Sequence, residues 1–215
     1  MHHGAGAYMK KCVIVGAGDA GKRLPVYEPD AFYIAADAGL LTMQRAGIAP
    51  DLLIGDFDSL GASPPGDIPV ITLPVEKDVT DTDAAAAEGI KRGCTDFTFY
   101  GVLGGRPDHS LANLSLLARL SQQGYGARAC GAGFEITAIT NGRLSFPAGR
   151  NGAAAVFSWT DESRGVTIEG FKYILRNGTL RSNFALGVSN AFTGEEAFVE
   201  VKDGTLLVMA ESMND

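Results

Sequence analysis

The segment Gly55-Asp56-Phe57-Asp58-Ser59 sets two carboxylates two residues apart. On extended backbone such a pair points to one side while Phe57 points to the other. That geometry suits a divalent ion, and equally a turn whose aspartates bond backbone amides. The run Glu76-Lys77-Asp78-Val79-Thr80-Asp81-Thr82-Asp83 follows, just ahead of an alanine-rich stretch. Acids favour a helix N-terminus, and Asp81 or Thr82 would serve as its cap. Capping accounts for one or two of these residues, not for four acids around a single lysine. A third cluster is Gly104-Gly105-Arg106-Pro107-Asp108-His109, with Asn113 four residues beyond the histidine. Adjacent glycines let backbone N–H groups approach a phosphate, a helix N-terminus adds a favourable dipole, and an arginine grips phosphate oxygens bidentately.

A fourth motif, Gly16-Ala17-Gly18-Asp19-Ala20-Gly21, precedes Asp37 by about twenty residues, the spacing of a dinucleotide-binding loop. Pro25 and Pro29 leave little room for the crossover helix that such a loop must open. The glycines read as well as a tight turn beside some other phosphate ligand. An NAD(P)-dependent oxidoreductase and a non-catalytic nucleotide sensor are the competing functions.

Charge supports the acidic motifs as a unit. Eight acids and one base, Lys77, lie between Asp51 and Asp83, so the whole net charge of −7 resides in that segment. Nucleic acid is disfavoured as a partner, because phosphate backbones need a positive footprint. Hydrophobic residues at 46% and charged residues at 20% are ordinary globular usage, which excludes intrinsic disorder. No apolar run approaches the roughly 18 residues of a membrane span, and the N-terminus lacks the pattern of a secretory signal. A cytoplasmic location with no membrane partner is expected. Cys12, Cys94 and Cys130 match neither a disulfide framework nor a zinc pattern and read as buried thiols.

These motifs need a scaffold, and the hydrophobic pattern supplies one. Strands are predicted at 12–15, 32–36, 70–73, 97–100 and 134–139. Helices are predicted at 38–46, capped by Asp37 and ended by Gly47, at 82–92 and at 108–122, the last covered by Leu111, Leu114, Leu117 and Leu120. Strands alternating with helices argue for a parallel, Rossmann-like α/β sheet covered on both faces. Beyond about residue 138 the texture becomes all-β, with short segments at 153–159, 165–169, 179–183, 197–202 and 205–209. Asn141-Gly142, Asn177-Gly178 and Asp203-Gly204 are hairpin signals, since such pairs tolerate positive φ. The expected organisation is an α/β domain over 9–137 and a β-sandwich domain over 138–215, with residues 1–8 a tag or disordered start. The lone Trp159 is expected in the core of the β domain.

Taken in order, GDFDS at 55–59, EKDVTDTD at 76–83, GGRPDH at 104–109 with Asn113, and Gly187-Val188-Ser189-Asn190 resemble the bacterial thiamine pyrophosphokinases, also called thiamine diphosphokinases. The similarity runs from about Lys10 to Met209. It implies transfer of diphosphate from ATP to thiamine with Mg2+, giving thiamine diphosphate and AMP, by a homodimer whose β domain helps form the thiamine site. By the same resemblance Asp37, Asp56, Asp58 and Asp81 hold the metal. Ser59, Lys77, Asp78, Thr80, Gly105 and Arg106, with Asp37, lie near ATP, and Asp108, His109, Asn113, Ser189 and Asn190 line the thiamine side. Asp56, Asp58, Asp81 and Asp108 are the catalytic carboxylates, with Asp81 and Asp108 both candidates to accept the hydroxyl proton. Two positions depart from the family pattern: Ala191 stands where an acid commonly follows the Ser-Asn pair, and Ile174 where proline commonly follows Lys172-Tyr173.

Overall fold

The computed structural model describes residues 10–18, 24–56, 66, 68–74, 78–131 and 133–212. Short apolar runs form the parallel strands β1 (Lys11–Val15), β2 (Phe32–Ala36), β3 (Leu52–Gly55), β4 (Val70–Thr72), β5 (Asp96–Tyr100) and β6 (Gly126–Cys130). Their spatial order is β4-β3-β2-β1-β5-β6, so the direction of winding reverses at β1. Helices α1 (Gly39–Arg45), α2 (Asp81–Lys91) and α3 (Pro107–Gln122) cover this layer.

Alternation within the strands decides which helix each face receives. Cys12, Ile14, Ile34, Leu52, Ile54, Phe97 and Phe99 point to the side where Ala85 and Ala86 of α2 and Leu116, Leu117 and Leu120 of α3 pack. Val13, Val15, Tyr33, Ala35 and Leu53 point the other way, onto Leu40 and Met43 of α1. Strands buried on both faces are apolar at every position, which is why these runs show no polar alternation. The buried stripe of α3 is Asn113, Leu116, Leu117 and Leu120, whereas Leu111, expected as cover, is 60% exposed.

The sheet continues past β6. Strand β7 (Phe134–Thr140) runs antiparallel to β6, and β14 (Thr205–Glu211), β9 (Ala153–Ser158) and β12 (Gly187–Ala191) extend the layer to ten strands. A separate antiparallel sheet contains β11 (Leu175–Arg181), β10 (Glu162–Glu169), β13 (Ala197–Glu200) and β8 (Arg143–Phe146) in that order. Ile139, Val156, Leu206 and Val208 of the first sheet share a core with Val166, Ile168, Leu180 and Val199 of the second. Phe146, Phe171 and Phe192 add an aromatic cluster to it, with the Arg150 guanidinium about 5 Å from the Phe146 and Phe192 rings.

The expected boundary between residues 137 and 138 lies inside β7. That strand pairs with β6 on one flank and β14 on the other; Ile136 and Ala138 join the helix-covered core and Ile139 the inter-sheet core. The change of texture therefore occurs within a continuous sheet. None of the three expected hairpin signals closes a hairpin. Asn141-Gly142 and Asp203-Gly204 carry the chain from one sheet to the other, and the two turns bond each other, Asn141 N–H to the Gly204 carbonyl and Gly204 N–H to Asn141 Oδ1. Asn177-Gly178 sits within β11, where its pairing with β10 shifts register. Positive φ fixes a local bend, at 47° for Asn141 and 49° for Asn177, without choosing the partner strand. Trp159 also departs from expectation: it packs with Phe157 and Met209 on the helix-covered cluster, beside Leu114 of α3, and not in the inter-sheet core.

Candidate functional site

The C-terminal ends of parallel strands, at the point where winding reverses, are where open α/β sheets present ligand-binding residues. Here that edge collects the loops after β1, β2, β3 and β5 and the N-terminus of α2. The loop after β1 is fastened to the loop after β5: Gly16 N–H donates to the Tyr100 carbonyl and Gly18 N–H to the Gly101 carbonyl, both at 2.8 Å. A Cβ on Gly18 would stand 2.6 Å from the Gly101 oxygen, so the glycines permit close backbone approach. No helix follows β1 among the described residues before β2 begins, and Asp19 to Gly21 lie outside them. The described residues between β1 and β2 supply no crossover helix for a dinucleotide loop.

Asp37 and Asp56 are brought together by register. Ala36 of β2 pairs with Ile54 of β3, and the next residues of both strands leave the sheet at the same edge. Asp37 takes φ 49° and donates its N–H to the Ile54 carbonyl at 2.9 Å, an unusual conformation for a residue that is not glycine. A Cβ on Gly55 would stand 1.8 Å from Asp37 Oδ1, so the carboxylate rests on the bare α-carbon of Gly55. Asp37 is not the helix cap expected of it: the N-cap of α1 is Ala38, which makes no side-chain cap bond. Both aspartates are half-buried.

Thr80 caps α2, its hydroxyl accepting the Asp83 N–H at 3.2 Å. The expectation had put the cap at Asp81 or Thr82; the Thr-x-x-Asp spacing of Thr80 and Asp83 carried the better signal. Asp81 opens the helix half-buried, while Asp78 is exposed. Asp83 is engaged elsewhere, paired with Arg119 of α3 at 2.6 Å. Asp58, Ser59 and Lys77 lie outside the described residues, and among the described residues no group of three His, Cys, Asp or Glu side chains forms a metal cage.

The turn after β5 completes the edge. Gly104 and Gly105 have φ of 86° and 69°, and residues 104–109 are all exposed. Ser110, which sequence reasoning passed over, holds this turn: its hydroxyl accepts the Gly104 N–H at 3.0 Å and donates to the Arg106 carbonyl. Its signal was a hydroxyl in the first turn of a helix behind two glycines. Arg106 grips Asp108 with Nε and Nη2, and this hydrogen-bonded charge holds the Asp108 carboxyl at about 2 and raises the arginine. Asn113 is buried at 6% exposure and donates from Nδ2 to the Val102 carbonyl at 2.7 Å, anchoring the strand end that feeds the turn.

Ser189 and Asn190 belong to β12, at the far edge of the ten-stranded sheet. Ser189 is exposed with φ 60°, and Asn190 is buried, its amide exchanging hydrogen bonds with the Tyr173 backbone. The sequence-derived set thus divides in two by element: Asp37, Asp56, Asp78, Thr80, Asp81, Gly105, Arg106, Asp108 and His109 follow the C-terminal ends of the parallel strands, and Ser189 and Asn190 lie on β12 at the other flank of the sheet.

Two family models match the chain: "Thiamin pyrophosphokinase, catalytic domain" over residues 26–127 and "Thiamin pyrophosphokinase, vitamin B1 binding domain" over residues 154–206. Together they take in more than two thirds of it and contain both groups of residues. A thiamine pyrophosphokinase of Bacillus subtilis (strain 168) is 27% identical over 183 residues, covering 82% of this chain and 86% of the relative. Among solved structures, thiamine pyrophosphokinase from Bacillus subtilis is similar with a TM-score of 0.83 at 24% identity, over 95% of this chain and 100% of that one. Thiamin pyrophosphokinase from Geobacillus thermodenitrificans follows at 0.79 and 25%, over 95% and 99%. That from Candida albicans shares the fold at 0.72 and 16%, over 94% and 90%.

Proposed function

The chain belongs to the thiamin pyrophosphokinase family, and from that premise we propose that it transfers the diphosphoryl group of ATP to the hydroxyethyl oxygen of thiamine, releasing AMP. The observation that carries this reading is the convergence of Asp37, Asp56, Asp81, Arg106 and the Gly104-Gly105 turn on one sheet edge. Transfer of this kind depends on positioning and charge neutralisation more than on covalent help from the protein. The N–H group of Gly105 and the Arg106 guanidinium hold the phosphates, with Ser59, Lys77, Asp78 and Thr80 alongside.

The donors suit Mg2+. Asp37 and Asp56 offer hard oxygens from adjacent strand ends, and Mg2+ commonly takes one or two carboxylates while keeping several waters. Asp58 and Asp81 complete the proposed set, and an ion held there would screen the phosphate charge. The acceptor oxygen bonds to the β-phosphorus as the bond from that phosphorus to the α-phosphate oxygen breaks. AMP leaves with the bridging oxygen, and the hydroxyl proton passes to an aspartate. Asp108, held at about 2 by Arg106, is a weak acceptor while that pair is closed. Asp81, and Asp108 once phosphate draws Arg106 away, are the two candidate acceptors. His109, Asn113, Ser189 and Asn190 belong to the thiamine side in this reading.

A homodimer is part of the proposal. From β12 to β2, whose end carries Asp37, the sheet counts seven strand spacings, about 34 Å at 4.8 Å each. That distance supports a second copy, whose β12 meets the first copy's site at the ends of β2 and β3. Tyr173, Ile174, Phe184 and Leu186 near β12 are more than half exposed, an apolar surface that such contact would cover. Buried, unbridged Cys12, Cys94 and Cys130 are in keeping with a cytoplasmic, reducing location.

The test is product analysis after incubation with ATP, Mg2+ and thiamine, with EDTA and thiamine-free controls. AMP and thiamine diphosphate in equal amounts, abolished by EDTA, are expected. ADP with thiamine monophosphate would overturn the stated regiochemistry, and no product would overturn the enzyme reading.

A further inference from the structure

We propose that Cys12 and Cys94 form a redox-active dithiol, a modification site that closes to an intramolecular disulfide under peroxide and fastens the end of α2 to β1. The site uses no residue of the diphosphoryl-transfer reading and stands apart from it. Cys12 is the second residue of β1, and Cys94 lies in the turn that carries the chain from α2 to β5. Both side chains enter the core cluster under α2, at 0% and 1% exposure.

Shared neighbours bring the two sulfurs together. A Cβ on Gly89 of α2 would stand 3.0 Å from Cys12 Sγ, and the carbonyl of the same Gly89 accepts the Cys94 N–H at 3.0 Å. Cys94 Sγ lies 3.9 Å from the carbonyl oxygen of Lys11, the residue before Cys12. The Cys12 thiol donates directly to the Cys94 sulfur. Thr95 and Asp96 both donate their N–H groups to the Lys10 carbonyl, which sets the turn against the start of β1. A disulfide needs Cβ atoms about 4 Å apart, and two thiols already in contact can reach that spacing without unfolding.

The two thiols differ in chemistry. The bond from Cys12, with the Lys10 and Arg92 cations nearby, lowers the Cys94 thiol, whereas the same bond and burial raise Cys12. Cys94 is therefore the attacking sulfur and Cys12 the resolving one. Exposed Gly93 and Thr95 flank Cys94, so a small oxidant needs a local opening of that turn and not of the core. In the first step the Cys94 thiolate attacks one oxygen of hydrogen peroxide; the O–O bond breaks, hydroxide leaves and takes up a proton to become water, and Cys94 becomes a sulfenic acid. In the second, Cys12 attacks the Cys94 sulfur, the S–O bond breaks, and a second water leaves with the Cys12 proton. Two thiols lose two electrons, and peroxide is reduced to two waters. A small thiol reductant reverses the closure. Cys130 serves as an internal control, because Cys12, Phe97 and Ala127 are in register and Cys130 lies further along β6, at the opposite end of the strands.

The test is hydrogen peroxide treatment of the reduced, folded full-length protein, read by non-reducing peptide mass spectrometry. A linked peptide pair containing Cys12 and Cys94, a mass loss of two hydrogens restored by dithiothreitol, and Cys130 left as a thiol are expected. In Cys12→Ala the reaction should stop at a Cys94 sulfenic acid that dimedone traps, and Cys94→Ala should leave Cys12 unoxidised. The bridged wild type should melt about 5 °C or more above the reduced form, because the bond closes a long loop of the unfolded chain. A mixture of pairings that includes Cys130, or oxidation of Cys130 while Cys12 and Cys94 stay reduced, would overturn the proposal. That mapping is made on the wild type, so it decides the matter even where a variant fails to fold. A bridge that lowers the melting temperature would show that closure strains the fold, and would overturn the fastening of α2 to β1.

Discussion

Arg106 and Asp108 have side chains 70% and 63% exposed, so their bond is worth little to the fold despite its geometry. Its consequence lies in titration. The Asp108 carboxyl is depressed to about 2, so the pair's contribution is present above the ordinary carboxylate range and is lost as pH falls toward 2. In Arg106→Gln the Asp108 carboxyl is expected back in the ordinary range by NMR titration, with melting temperature unchanged. Loss of the phosphate grip should lower kcat about 10²- to 10³-fold. Asn113 is the opposite case. The sequence identified it as a residue of the site, but its side chain points inward to Val102. Asn113→Ala should cost about 1–3 kcal/mol in denaturant unfolding, because it leaves a buried carbonyl unpaired. A raised KM for thiamine with stability unchanged would instead make it a substrate contact. Residue types were legible here because charge and glycine patterns are local; which way Asn113 points depends on a loop carbonyl eleven residues earlier in the chain.

At the scale of elements, the long periodic segments were read within a residue or two: 108–122 became Pro107–Gln122, and 32–36 became Phe32–Ala36. What escaped were β3, β6, β8 and β12: Gly126–Cys130, Arg143–Phe146 and Gly187–Ala191 break their apolar pattern with small and polar residues, and Leu52–Gly55 is only four residues long. Missing β3 hid the reason for Gly55. Its α-carbon is the seat of Asp37, and its φ of 152° disfavours any other residue. Gly55→Ala should destabilise by more than about 1 kcal/mol and also weaken activation by Mg2+, since the displaced carboxylate and the strained backbone have one cause. A melting curve and a Mg2+ titration of activity check both parts. Thr80→Ala separates the two effects, because it removes only the cap of α2: about 1 kcal/mol lost, with the Mg2+ requirement kept.

For the whole molecule, the sequence located a change of texture near residue 138 but carried no information on whether two sheets or one would span it, since strand pairing is set by contacts distant in the chain. The continuous sheet has a functional consequence. It fixes β12 seven strand spacings from β2 in the same chain, so Ser189 cannot approach its own Asp37 by any hinge at β7 without breaking the β6–β7 or β7–β14 ladders. A site that uses both groups is then shared between copies, and sharing predicts complementation. Asp56→Ala disables the phosphate edge of its own chain. Ser189→Arg, at an exposed position whose positive φ is already paid by serine, sets a cation against the cationic acceptor. Each variant alone should be inactive. When equal amounts are mixed and allowed to exchange subunits, half the dimers are mixed and each mixed dimer retains one intact site of two, so activity should return to about a quarter of wild type. A mixture that stays inactive after mass spectrometry has verified exchange would mean that each chain completes its own site, and that Ser189 lies outside it.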